Sequence, residues 1–385
     1  MGIYSIAMNL LLRDSLYKKQ NSIYMQINYF SKENTLLYKG IGILFIVLHN
    51  FFHWMPPWTN ENEWDFDLNR VSYLYDGLIH YPLEFLNLFF SYFGHYGVQL
   101  FIFISGVGLA LSMQNKNRNW RIFMIERLKK IYPLLITGFI FLFFYEITLH
   151  GKMFGWYHCR EFIYKLLFLH TFNITQDSAT SLSGPWWFFG LIFQLYVLFP
   201  ILFKAIAKYR VKAFILICLI SYAWIYISQY IYQPQANIKL FQNAPGHLPE
   251  FALGILFALN PNKKIHSVFG VLALAIFVLG NFYKPFFPLT FLSITVLLYW
   301  AISNISPLIL NNTKKMKAVL LYYGSISMVL FVIHGPLRSP FIAISGTTFY
   351  GRLLGVALFL IAVTALSIIG NKLYQWLVKI FTHKA

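Results

Sequence analysis

The sequence predicts an all-α polytopic membrane protein: about ten transmembrane helices in one bundle, with both termini cytoplasmic. Three observations predict it. First, 58% of the 385 residues are hydrophobic and only 11% are charged, with a mean hydropathy of +0.58, whereas soluble domains carry roughly 25% charged residues. Second, apolar segments recur along the whole chain. Third, the basic residues fall in alternate loops, as they do where cytoplasmic loops hold lysine and arginine. The net charge of +18 is explained by those loops, and no nucleic-acid partner is expected.

Residues 1–36 lack the basic, apolar and small-residue order of a cleavable signal. With Arg13, Lys18, Lys19 and Lys32 they read as a cytoplasmic amphipathic lead-in to a single transmembrane domain over 37–380. The apolar segments run at 37–55, 93–112, 131–149, 186–203, 212–231, 247–259, 267–282, 286–302, 318–336 and 353–377. The sixth is short for a span, and 162–172 is a short eleventh candidate. With the N-terminus inside, the inner loops hold Lys116 to Lys130, Lys204 to Lys212, Lys263, Lys264 and Lys314 to Lys317, but of the acids only Asp14, Glu33 and Glu126. The outer loops 56–92 and 150–185 are long and rich in Trp, Tyr and Asn; the first carries Glu61, Glu63, Asp65 and Asp67. Such surfaces suit sugars, and equally an aromatic interface belt with solvated charges. Cys159 and Cys218 form no disulfide framework and no metal-ligand spacing.

The first apolar segment, KGIGILFIVLHNFFHWM, carries His49 and His53 four residues apart, on one helix face. Ten residues, about 15 Å of helix, separate Lys39 from His49, which places the histidine near the middle of a bilayer core roughly 30 Å thick. An ionisable group at that depth is a functional-site candidate. Three roles fit it: a general base, since neutral imidazole takes a proton from a hydroxyl at neutral pH; half of a metal pair, for which no third ligand is evident nearby; or an interhelical hydrogen bond.

The second segment holds Gly97, Ser105, Gly106 and Gly108, with His95 at its outer mouth. Small residues let helix backbones approach, and Ser105-Gly106 is also a place where the helix could break toward a ligand. At the third, Arg121, Arg127, Lys129 and Lys130 crowd the inner mouth ahead of Pro133, a residue suited to a helix first turn. They fit phosphate binding and ordinary charge anchoring alike. Trp186, Trp187 and Gln194, then Glu250, then His334 beside Pro336, each fit a substrate contact or a satisfied polar group in a bundle.

Taken together these stretches resemble the acyltransferase family 3 of integral-membrane O-acyltransferases. The resemblance rests on Lys39 and His49 in the first helix, Gly97 to Gly106 in the second, and Arg127, Lys130, Ile131 and Pro133 in the third. It continues through Trp187 to Pro200, and Ser327 with His334. Many members carry arginine at the place of Lys39, and glutamate at the place of Ile192. No role of that glutamate is carried over to this chain.

The resemblance implies a multi-pass protein of the bacterial inner membrane that moves an acyl group, commonly acetyl, from cytoplasmic acyl-CoA to a carbohydrate hydroxyl. The acceptor would be an envelope glycan or its lipid-linked precursor. Acetyl-CoA is then the donor, no metal is expected, membrane lipid surrounds the bundle, and a homo-oligomer is compatible with the reading. By the same resemblance His49 is the base or the acyl carrier, with His53, Ser105 and His334 in the catalytic group. Lys39, Arg127, Lys130 and Gly106 hold the donor, and His95, Trp187, Gln194 and Glu250 face the acceptor. Two rivals stand beside this reading. One is a transporter or flippase of polysaccharide or lipid-linked sugar, which inverted repeats would favour and none is evident. The other is a lapsed family member, which the absent glutamate favours.

Overall fold

The structure, a computed structural model, describes residues 28–55, 63–114, 119–151, 153–172, 178–228 and 239–383. Most of the N-terminal lead-in, with Arg13, Lys18 and Lys19, lies outside the described residues. So do Glu61, Lys116 and Arg118.

Helices occupy every one of the ten expected places, and their ends are set by local chemistry that hydropathy does not show. Helix α1 runs Lys32–Phe52, starting ahead of the expected 37 because Ser31 Oγ accepts from the backbone N–H of Asn34 at 3.2 Å, a side-chain N-cap. In the stretch after α1, expected to be an outer loop, lie two unexpected short helices, α2 (Leu68–His80) and α3 (Phe85–Phe93). A 3₁₀ turn, Gly94–Tyr96, leads into α4 (Gly97–Gln114). Helix α5, Trp120–His150, begins well before the expected 131, capped by Asn119 Oδ1 accepting from Arg121 N at 3.1 Å. Pro133 is therefore inside the helix and not in its first turn.

After α6 (Trp156–Leu166) come α7 (Trp187–Tyr209), α8 (Val211–Tyr226), α9 (Leu248–Ala258) and α10 (Ser267–Phe282). Then follow α11 (Thr290–Asn312), α12 (Lys314–Leu337), α13 (Ser339–Ser345) and α14 (Phe349–His383). Among the described residues seven helical stretches are long and apolar enough to cross a membrane, which makes this a multi-pass membrane protein. Helices α8, α9 and α10 are shorter apolar helices. At 11 residues, α9 spans about 16 Å, half of a bilayer core.

Two close helix crossings organise the bundle, each made by a reciprocal pair of glycines. A Cβ on Gly40 of α1 would lie 2.1 Å from the Leu320 carbonyl oxygen of α12, and one on Gly324 of α12 would lie 2.0 Å from the Leu36 oxygen of α1. Helices α4 and α9 repeat the device with Gly106 against Phe251 and Gly254 against Phe103. Without a side chain the backbones come into direct contact, which is how helices associate in a solvent as apolar as their own side chains. The first crossing fixes α1 against α12. A third glycine contact, Gly97 against the Gly42 carbonyl, fixes α1 against α4.

Candidate functional site at the C-terminal end of the first helix

The last turns of α1 bring His49 and His53 over one another, with ring centroids 5.1 Å apart and planes at 20°. His95 joins them from the 3₁₀ turn before α4, 5.4 Å from the His49 ring. That turn lies against α1 because Gly94 has no side chain: a Cβ there would sit 2.6 Å from the His49 Cβ. His49 and His95 are buried.

The orientation of His49 follows from the end of α3. The carbonyls of Phe90, which also accepts from the cap N–H of Gly94, and of Ser91 lie 3.2 and 3.1 Å from His49 Nδ1. Carbonyl oxygens only accept, so Nδ1 carries the hydrogen. In the neutral ring Nε2 then holds the lone pair. The arrangement matches that of a positioned base: one nitrogen donates to fixed acceptors and the other is left to take a proton.

The histidines form part of the wall of a cavity of about 720 Å³. Trp54 and Asn50 continue that wall, and Tyr145 and Glu146 of α5, Trp187, and Gly335, Pro336 and Arg338 at the end of α12 complete it. Trp64 and Trp187 meet edge to face across its rim, centroids 5.9 Å apart. Pro336 has no N–H to give the Val332 carbonyl one turn back. Trp186 Nε1 supplies that hydrogen at 2.9 Å, which ties the start of α7 to α12.

The stretch 180–185 closes another side of the cavity. It is held from behind by Lys165, fully buried, whose Nζ donates to the Ser178 and Ala179 carbonyls at 3.2 and 3.3 Å. Burial pushes the Lys165 ammonium down to about 7, against the pull of Glu161. His170 beside it donates from Nε2 to the Trp186 carbonyl at 3.2 Å.

The other expected site residues are distributed as follows. Trp187 lines the cavity. His334 is buried with Nδ1 donating to the Leu330 and Phe331 carbonyls at 3.1 and 2.8 Å, between Phe331 and Gly335 of the cavity wall. Glu250 lies behind the wall: its Oε1 is 3.3 Å from His247 Nδ1, and His247 in turn stacks on Trp187 at 6.2 Å. Gln194 Nε2 donates to Thr171 and Asn243 at 3.1 and 2.7 Å, and its Oε1 accepts from Ala244 N at 2.9 Å. Gln194 faces a second, more apolar groove of about 1320 Å³. Ser105 and Gly106 sit within an unbroken α4, where Gly106 makes the crossing with α9.

Lys39 lies in the N-terminal half of α1, and Arg127 and Lys130 lie in the first turns of α5. Lys39 is within electrostatic range of Lys130. The Arg127 guanidinium lies 5.3 Å over the Phe123 ring and 3.8 Å from Glu126. Neither cavity includes these three among its wall residues. No three His, Cys, Asp or Glu side chains among the described residues are grouped as metal ligands.

Sequence reasoning missed Asn50, Lys165 and Arg338. A lone lysine in the short apolar run 162–172 was the available signal for the second. An arginine directly after the HGPL of α12 was the signal for the third.

No curated protein and no solved structure matches the chain. The family model of the acyltransferase domain matches residues 37–372, spanning the histidine cluster, the cavity and the basic end of α1 alike. The chain belongs to acyltransferase family 3.

Proposed function

We propose that this membrane acyltransferase moves an acetyl group from acyl-CoA to a hydroxyl of a cell-envelope glycan or its lipid-linked precursor, in the bacterial inner membrane. The observation that carries the reading is His49: buried, held at Nδ1 by two carbonyls, and set in the wall of a cavity large enough for a sugar residue.

The acceptor sugar lies in the cavity between Trp54 and Trp187, whose ring faces suit sugar C–H groups. His49 Nε2 takes the proton of the attacking hydroxyl as its oxygen forms the new ester bond to the acyl carbon. The bond from that carbon to sulfur breaks, and the thiolate of CoA leaves and is protonated. His53 and His95 flank the base. Lys39, Arg127 and Lys130 hold the phosphates of the donor at the far end of α1, Arg127 with the paired N–H groups that phosphate oxygens accept. The donor's pantetheine arm bridges the interval of about 15 Å along the helix.

Mass spectrometry of envelope glycans from cells with and without the protein tests this. An added mass of one acetyl group, present only with the protein, is the expected result. Identical glycans, with acetyl-CoA neither bound nor hydrolysed by the purified protein, would overturn it.

A further inference from the structure

Arg338 stands apart from the other arginines of the molecule. Among the described residues, Arg352 is paired with Glu84, Arg160 with Glu161, Arg70 with Asp67 and Arg127 with Glu126, and Arg121 and Arg210 are exposed. Arg338 is not exposed, and no carboxylate among the described residues pairs with it. It lies at the junction of α12 and α13, in the wall of the histidine cavity. Its Nη1 donates to Asn50 Oδ1 at 3.3 Å, and its guanidinium lies 4.7 Å over the Trp54 ring. Glu63 and Glu146 face the same cavity, yet neither forms an ion pair with it.

A half-buried cation without a counterion costs free energy, and a neutral amide and an aromatic face offset only part of that cost. Guanidinium is a planar fork whose N–H edges match carboxylate and phosphate. One face rests on Trp54 and one corner is held by Asn50, so the fork is oriented before any ligand arrives. His49, His53 and Trp54 follow one another at 5.1 and 6.1 Å between ring centroids, and all line the cavity with Asn50 and Arg338. An anion held here therefore shares the cavity with the base.

We propose that Arg338, with Asn50 and Trp54, forms an anion subsite of the acceptor cavity, and that the acceptor is an acidic sugar bearing a carboxylate or phosphate. The inference rests on the reading of this cavity as the acceptor site. Arg338 takes the acid group, Trp54 packs against the ring, and Glu146 of the same cavity accepts from sugar hydroxyls. One hydroxyl is thereby directed to His49 Nε2.

Equilibrium binding of glucuronate, glucose 1-phosphate and glucose to the purified full-length protein in detergent tests the subsite without any acyl transfer. The two anions separate a carboxylate subsite from a phosphate one. At least one of them is expected to bind about tenfold tighter than glucose, about 1.4 kcal/mol. Arg338→Gln should remove that preference while glucose still binds, and Arg338→Lys should keep part of it. Asn50→Asp gives the arginine an internal carboxylate and should abolish the preference with the cation still in place, so the test does not depend on one variant folding. Equal binding of all three sugars by the wild-type protein, or a preference that survives both Arg338→Gln and Asn50→Asp, would overturn the subsite. A protein that acetylates glycans but shows no anion preference refutes this inference alone. One that binds glucuronate through Arg338 but transfers no acyl group refutes the proposed function and supports the subsite.

Discussion

At one end of α1 the helix faces a hollow lined by three histidines, and at the other its lysine lies among cations that border neither cavity. His49 is held by two carbonyls beside about 720 Å³ of open space, whereas Arg127 rests on Phe123 beside its own neighbour Glu126. The contrast suits two different substrates. A rigid sugar needs a formed cavity with fixed polar groups, since preorganised groups lose less on binding. A long, flexible thioester needs cations at one point and a path that opens when it arrives. On this view substitutions at the two ends should affect different kinetic quantities.

The largest expected effect short of losing the base itself comes from moving it. Gly94→Val places a branched side chain where even a Cβ meets His49 at 2.6 Å. A displacement of the base by about 1 Å costs on the order of 100-fold in rate, so acetyl transfer should fall by that order in steady-state assays while the acetyl-CoA requirement holds. Unchanged turnover would mean that the histidine end tolerates loose positioning.

At the basic end, Arg127→Ala should raise the apparent acetyl-CoA requirement about tenfold, the loss of about 1.4 kcal/mol of phosphate binding, with little change in maximal rate. A fall in maximal rate alone would blur the division between the ends. His53→Gln should have a smaller effect, about fivefold in rate, the size of one hydrogen bond of about 1 kcal/mol.

The smallest expected effect on catalysis, but a measurable one on stability, is at Lys165. Its ammonium is pushed down to about 7 in the fold from an ordinary value near 10.4. Between those values the unfolded chain binds more protons, so this residue's contribution to stability increases as pH rises through that window and is flat below about 7. Lys165→Met should lose that slope. It also removes the two hydrogen bonds that Lys165 gives to the Ser178 and Ala179 carbonyls, at about 1 kcal/mol each, so it should unfold at lower temperature at every pH. Thermal unfolding of both proteins from pH 6 to 10 checks this, and equal slopes would contradict it.

Much of this was legible in the sequence because hydropathy and the spacing of four between His49 and His53 are local properties. All ten apolar segments are helical in their described residues. The starts of α1 and α5 were not legible from hydropathy, because Ser31 and Asn119 set them through single side-chain caps. His95 was visible as a residue but not as a neighbour of His49, since that contact depends on Gly94. Arg338 and Asn50 meet only because Gly40 and Gly324 bring α1 and α12 together, and contacts between such distant residues leave no periodic trace. Gln194, read as an interior polar group, is held by Thr171, Asn243 and Ala244 beside the other groove.

The most direct measurement is acetyl transfer from labelled acetyl-CoA by purified His49→Ala, alongside acetyl-CoA binding by the same sample. With the base removed and the basic end untouched, transfer should fall by about 100-fold to 10,000-fold while donor binding stays at the wild-type level. Transfer near the wild-type rate would contradict the assignment of His49 as the base.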